Sequence, residues 1–180
     1  MNRIAQIISI VLNPLVVIIA MSYLLTFSWF WGFLTTVFII LLSILIWILV
    51  KKKVFSDFDV SKQKQRPTLY FLEFSSALVY LSIIYYLHAP IILISQTLVV
   101  ILILIAQLFV NKFLKVSGHM AIFSAATMML VFVYGWPYLL GFIPIGILAW
   151  SRLKLKRHSL KEVIAGVIIG IIFSILIAVI

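Results

Sequence analysis

The 180-residue chain contains no cysteine. Disulfides, thiolate metal centres and cysteine nucleophiles are therefore excluded, and cysteine usage says nothing about redox compartment. Acidic residues are almost as scarce, since Asp57, Asp59, Glu73 and Glu162 are the whole inventory. Four scattered carboxylates are too few for an oxygen cage around a hard cation, and neither a metal nor another cofactor is expected. Charged residues of every kind make up only 10% of the chain. That leaves no exposed, solvated surface for a nucleic acid, and none is expected as a partner.

What the chain has instead is hydrocarbon. Hydrophobic residues are 66% of the total, against about half in a soluble domain. Long apolar runs cover 4–26, 32–50, 68–87, 91–110, 119–134, 138–150 and 160–180, and roughly 20 residues suffice to cross a bilayer. Asn13-Pro14 predicts a kink in the first run, and Trp29 and Trp31 suit a headgroup-level aromatic belt. Arg3 precedes the first run, which lacks a small-residue cleavage site, so that helix is expected to be retained. The expected fold is all-α: one integral-membrane domain over 1–180, a polytopic bundle of seven spans, or six if one short run only dips into the membrane.

The charges sort by side. With helices alternating in direction, all fourteen Lys and Arg residues fall on one face, and the turns around Ser28, His88 and Trp136 carry none. The positive-inside rule makes that face cytoplasmic and places the protein in the cell (inner) membrane. The net charge of +10 suits attraction to anionic headgroups.

Three short stretches return to the charged face. Arg152 to Glu162 reads R-L-K-L-K-R-H-S-L-K-E. Glu162 follows His158 by one helical turn and can orient its ring, while Arg152 can grip phosphate oxygens bidentately and a neutral imidazole can attack phosphorus. Ser117-Gly118-His119 stands at a helix start, where Ser caps, Gly admits close backbone approach and free N–H groups favour an anion. His119 could give a proton to a departing alkoxide. Arg66-Pro67 closes the other long basic loop.

The series Arg-Pro, Ser-Gly-His and Arg-x5-His-x3-acid, with motifs at 59–67, 117–119 and 152–162, resembles the type 2 phosphatidic acid phosphatase (lipid phosphate phosphatase) superfamily. That resemblance implies metal-independent hydrolysis of a membrane lipid phosphate monoester, of the phosphatidic acid or phosphatidylglycerol phosphate class. It casts His158 as the nucleophile that becomes phosphohistidine, His119 as the general acid and Glu162 as the residue orienting His158. Arg66, Arg152, Ser117 and the Gly118 amide become phosphate ligands. Two positions depart from the pattern: Glu162 replaces an Asp, and Asp59 stands where the family has a lysine, so Lys62 or Lys64 would have to supply that charge. The resemblance also reaches polyprenyl (undecaprenyl) pyrophosphate phosphatases.

Other classes compete. A non-catalytic transporter would place ionisable groups at mid-membrane, and a haem protein would draw ligands from His88, His119 and His158. An inactive member of the resembled family is the reading suggested by the missing lysine. Glu73, inside an apolar run, is either functional or paired with a loop cation. Gly166-x-x-x-Gly170 is expected to pack the last helix closely against the rest of the bundle.

Overall fold

A computed structural model describes residues 3–179. They are all-helical, with no strand among them. The first apolar run is two helices, α1 (Arg3–Val11) and α2 (Pro14–Thr26), bent by 44° at the break. Pro14 has no N–H to continue the ladder, and the Asn13 side chain caps the new helix by accepting the Leu15 N–H at 3.0 Å. After a turn at Phe27, α3 (Trp29–Lys51) runs to the lysine triplet.

The loop that follows is pinned rather than free. Phe55 and Val60 are buried among Leu42, Ile46 and Leu69, which fixes the intervening residues, Asp57 and Asp59, against the bundle. The chain then enters α4 (Arg66–Tyr86), with Pro67 in its first turn, and returns in α5 (Ile91–Val110). The last three helices are α6 (Gly118–Tyr134), α7 (Phe142–Lys154) and α8 (Leu160–Val179).

Among the described residues, four segments are long and apolar enough to cross a bilayer: α3, the 63–86 stretch, α5 and α8. The bent α1–α2 pair makes five if it counts as one span. The expected count of six to seven is therefore not reached by length and composition. The 138–150 run falls short because Gly135 and Pro137 fold its beginning into a 3-10 turn, Trp136–Gly141. The 13 residues of α7 then cover about 20 Å, less than the ~30 Å hydrocarbon core. At 17 residues, α6 is also short.

The centre of the bundle is α6, packed against α2, α5, α7 and α8. It runs beside α8 at backbone distance. A Cβ on Gly166 would lie 2.6 Å from the Ser117 carbonyl oxygen, and one on Gly170 would lie 2.2 Å from that of Ala121. The small-residue stripe thus serves packing within the chain. Ser124 and Ser174 add cross-helix hydrogen bonds to the carbonyls of Val167 and Ala125, each 3.2 Å. Polarity is inverted relative to a soluble fold: Thr35, Gln96, Gln107 and Ser124 are buried, while Phe33, Phe71, Ile91 and Ile172 face outward. Such an exterior suits lipid, where interior polar groups join helices.

Candidate active site

The turn between α7 and α8 is short, so Arg152 in the last turn of one helix and His158 just before the next are drawn together. Glu162 sits in the first turn of α8, where its Oε2 accepts the Ser159 N–H at 3.1 Å, half of a capping box. The same oxygen lies 3.0 Å from His158 Nδ1, and the Lys115 carbonyl oxygen lies 3.0 Å from that nitrogen too. Both neighbours can only accept. Nδ1 must therefore carry the ring proton, and the lone pair resides on Nε2. Burial, reinforced by the charges of Arg66, Arg152 and Lys115, pushes His158 down to about 2, so the ring is neutral.

His158 lines a cavity of about 100 Å³ with Arg66, Gly118, His119, Arg152 and Asp59. That is several times the ~10–15 Å³ of probe volume that one water needs, and enough for a phosphate-sized anion. The residues come from five places: the start of α4, the start of α6, the end of α7, the loop before α4 and the loop before α8. Arg66 is buried, and its guanidinium donates to the Val60 carbonyl (3.2 Å), the Tyr70 hydroxyl (3.2 Å) and the Val116 carbonyl (2.9 Å). It thereby ties the 52–62 loop to the turn preceding Ser117. His119 is buried with its Nε2 unpartnered, while the Ser9 backbone hydrogen-bonds the ring.

Arg152 is 2% exposed. Its Nη1 donates to Ser9 Oγ and pairs with Asp59 Oδ2 at 3.2 Å, leaving Nε without a partner. Asp59 does not merely lack the lysine's charge. It occupies the cavity and neutralises one of the two arginines there.

Other expected ligands lie elsewhere. Lys62 and Lys64 are exposed on their loop and are not among the cavity's lining residues. Ser117 is the N-cap residue of α6, but its side chain makes no cap bond. Its buried Oγ is unpartnered, and its N–H donates to the Glu162 carbonyl at 3.2 Å. Glu73 lines the cavity at its deeper end and has Arg66 as its electrostatic partner. Among the described residues, no group of three His, Cys, Asp or Glu side chains could hold a metal.

Sequence reasoning missed three contributors. Lys115 holds His158 through its carbonyl, and its ammonium is lowered by burial and by the nearby arginines, Arg66 first. Ser9 of α1 reaches Arg152, and Gln107 of α5 lines the cavity. The only signal for the last two was a polar residue inside an apolar run. Beside the cavity, and sharing Asn13, Leu15, Phe58 and Asp59 with it, opens a wider groove of about 1080 Å³. Its walls are aliphatic, from residues such as Ile19 and Ile39, and its rim carries Lys115, Lys154, Lys156 and Arg157.

Neither the protein-family models, the curated proteins nor the solved structures compared with the chain give a match.

Proposed function

We propose that the protein is a metal-independent lipid phosphate phosphatase of the kind its three motifs resemble. The observation that carries this reading is the fixed tautomer of His158. A neutral imidazole with its Nδ1–H held by Glu162 and the Lys115 carbonyl has its Nε2 lone pair available, and the ring lines a cavity that also contains two guanidiniums and a second imidazole.

The chemistry follows from these groups. Nε2 of His158 attacks phosphorus while the bond from phosphorus to the lipid oxygen breaks, and His119, carrying a proton taken up as the phosphate anion binds, protonates the departing alkoxide. Arg66 and Arg152 stabilise the charge on the equatorial oxygens. Water, deprotonated by His119, then attacks the phosphohistidine, cleaving the P–N bond and releasing phosphate. The substrate is a phospholipid with a terminal phosphate monoester, phosphatidic acid or phosphatidylglycerol phosphate. Its tail is accommodated laterally by the aliphatic groove, and its head is attracted by the basic rim. The charge distribution, through the positive-inside rule, supports a site on the cytoplasmic face of the cell membrane. With α6 and α7 counted as short membrane segments, that topology has seven spans.

The Asp59–Arg152 pair favours a second reading, a chain of this architecture with no turnover. One assay separates the two. Purified protein should release phosphate from phosphatidic acid in detergent, in the presence of EDTA, and vanadate should block the reaction. His158→Ala and Arg152→Ala should each lower kcat by at least about a thousandfold while leaving the circular dichroism spectrum and elution volume unchanged. Full turnover in His158→Ala would falsify the nucleophile assignment, and silence of the wild type would establish the second reading.

A further inference from the structure

Beneath the phosphate-sized cavity lies an apolar chamber of about 90 Å³, bounded by side chains such as Phe38, Leu42, Ala77 and Val100. The two spaces share Glu73, Leu104 and Ile122 among their lining residues, so the part of a lipid next to the phosphate borders the lower one, while its tails leave through the lateral groove. Two polar side chains line the way down, Gln107 in the upper cavity and Glu73 at the border of the two. Gln107 is 2% exposed, and its Nε2 is buried without a hydrogen-bond partner. Its amide lies 3.6 and 3.7 Å from where a Cβ on Gly118 would sit, at the level of the Ser-Gly-His turn. Glu73 is two turns along α4 from Arg66, about 10 Å deeper at 1.5 Å per residue, and belongs to both linings.

Neither group is used in the mechanism above, and an unpartnered buried amide is destabilising unless a ligand completes it. We propose that Gln107 and Glu73 read the polar backbone of a glycerolipid, and so select an ester-linked lipid monophosphate over an isoprenyl one. This rests on the phosphatase reading. With phosphorus held between Arg66 and Arg152 and the lipid oxygen toward His119, the glycerol and its ester carbonyls fall at that border. Gln107 then donates an N–H to an ester carbonyl. The Glu73 carboxyl, in its protonated form, donates to the second carbonyl. An isoprenyl chain offers only hydrocarbon at the same depth, leaving both groups unsatisfied. Sites built to hydrogen-bond a substrate reject analogues lacking that partner far more strongly than apolar pockets reject a misfit.

The test measures kcat/KM for phosphate release from dioleoyl phosphatidic acid and from geranylgeranyl phosphate in matched detergent micelles. The wild type should prefer the glycerolipid by about tenfold or more. Gln107→Leu should lose about tenfold on phosphatidic acid, leave the isoprenyl substrate unchanged or faster, and raise Tm, because a buried unpartnered amide has been removed. Gln107→Met gives the same readout if the leucine variant does not fold, and Glu73→Met, which deletes the second donor, gives the same selective loss on phosphatidic acid. An unchanged ratio between the two substrates in the folded variants overturns the inference while the phosphatase reading stands. Absence of release from both substrates by the wild type overturns that reading and this inference together.

Discussion

Arg152 carries a carboxylate where the proposed mechanism would bind a phosphate, and the consequence can be measured on a single side chain. Asp59 Oδ2 lies 3.2 Å from Nη1 of this buried guanidinium. A dianionic ligand must compete with it or bind beside it, at a cost in affinity set by like-charge repulsion. Asp59→Asn keeps the shape and removes that charge. It should strengthen vanadate inhibition several-fold and lower Tm by a few degrees, since a buried arginine then loses its counter-charge; unchanged inhibition would show that Asp59 swings clear of the ligand unaided. His158 makes a prediction in pH. Its folded value is about 2, below the ~6.5 of an unfolded histidine, so between those limits the unfolded chain binds the extra proton. Stability is therefore unaffected by this group above about pH 6.5 and falls progressively as pH drops below it. The melting temperature should decline from pH 6.5 to 4.5 and decline less in His158→Gln. A slope identical in the two proteins would assign the acid sensitivity to another group. Asp57 works in the same direction: burial pulls its carboxyl up, but hydrogen bonds from Ser56 and Ser61 and the Arg157 charge outweigh that and hold it below the usual range. A depressed carboxyl stabilises above its unfolded value and loses that contribution as pH falls through its folded one.

Among the elements, the α6–α8 pair couples stability to the site. Gly170 meets Ala121 and Ser124 in the middle of the pair, whereas Gly166 meets the Ser117 carbonyl and Met120, at the turn that presents Gly118 and His119. Adding a methyl group at either position must part the helices, at roughly 1–3 kcal/mol for an overpacked core. Gly170→Ala should lower thermal stability and leave the kcat of the surviving folded protein near wild type. Gly166→Ala should cost similar stability and also reduce kcat at least about tenfold, because the displaced segment carries His119, the proposed general acid. Melting curves paired with initial rates check this, and equal rates in the two variants would sever the link between that turn and turnover. The sequence made much of this element-level picture legible. Apolar runs bounded by Pro, Gly and lysine clusters located most of the helices, and the four-residue glycine spacing pointed to close packing. The length of α7 was harder to read, because Pro137 and Gly141 both fit the ends of a helix as well as a 3-10 turn, and only the packing of Phe142 and Ile145 in the bundle decides between them.

At the scale of the whole molecule, the legible part of the site is its local part. Arg152, His158 and Glu162 lie within eleven residues, and helical periodicity alone brings the last two together. Ser9 and Asp59, by contrast, reach Arg152 across sequence separations of 143 and 93 residues, and Gln107 faces Gly118 from another helix. Such pairings depend on how the helices assemble, which no local pattern encodes. Burial of Arg66, Arg152, His119 and His158 at one end of the bundle also couples orientation to the proposed chemistry, because the side that holds these residues is the side from which a lipid substrate would enter. All fourteen basic residues gather at that end, and ten remain when Arg66, Arg152, Lys62 and Lys64 are set aside. A polybasic face held against an anionic leaflet gains about 1 kcal/mol per nearby cation, so the proposal of a cytoplasmic site rests on surface charge and not on the residues of the cavity. In the absence of native cysteine, a single Lys53→Cys substitution reports orientation cleanly. It should resist a membrane-impermeant maleimide in intact cells and react after permeabilisation, while Tyr86→Cys, at the opposite end of α4, should label from outside. The reverse pattern would place the phosphate site on the outer surface, exposing it to lipids and lipid diphosphates of that leaflet and reversing the substrate argument with it.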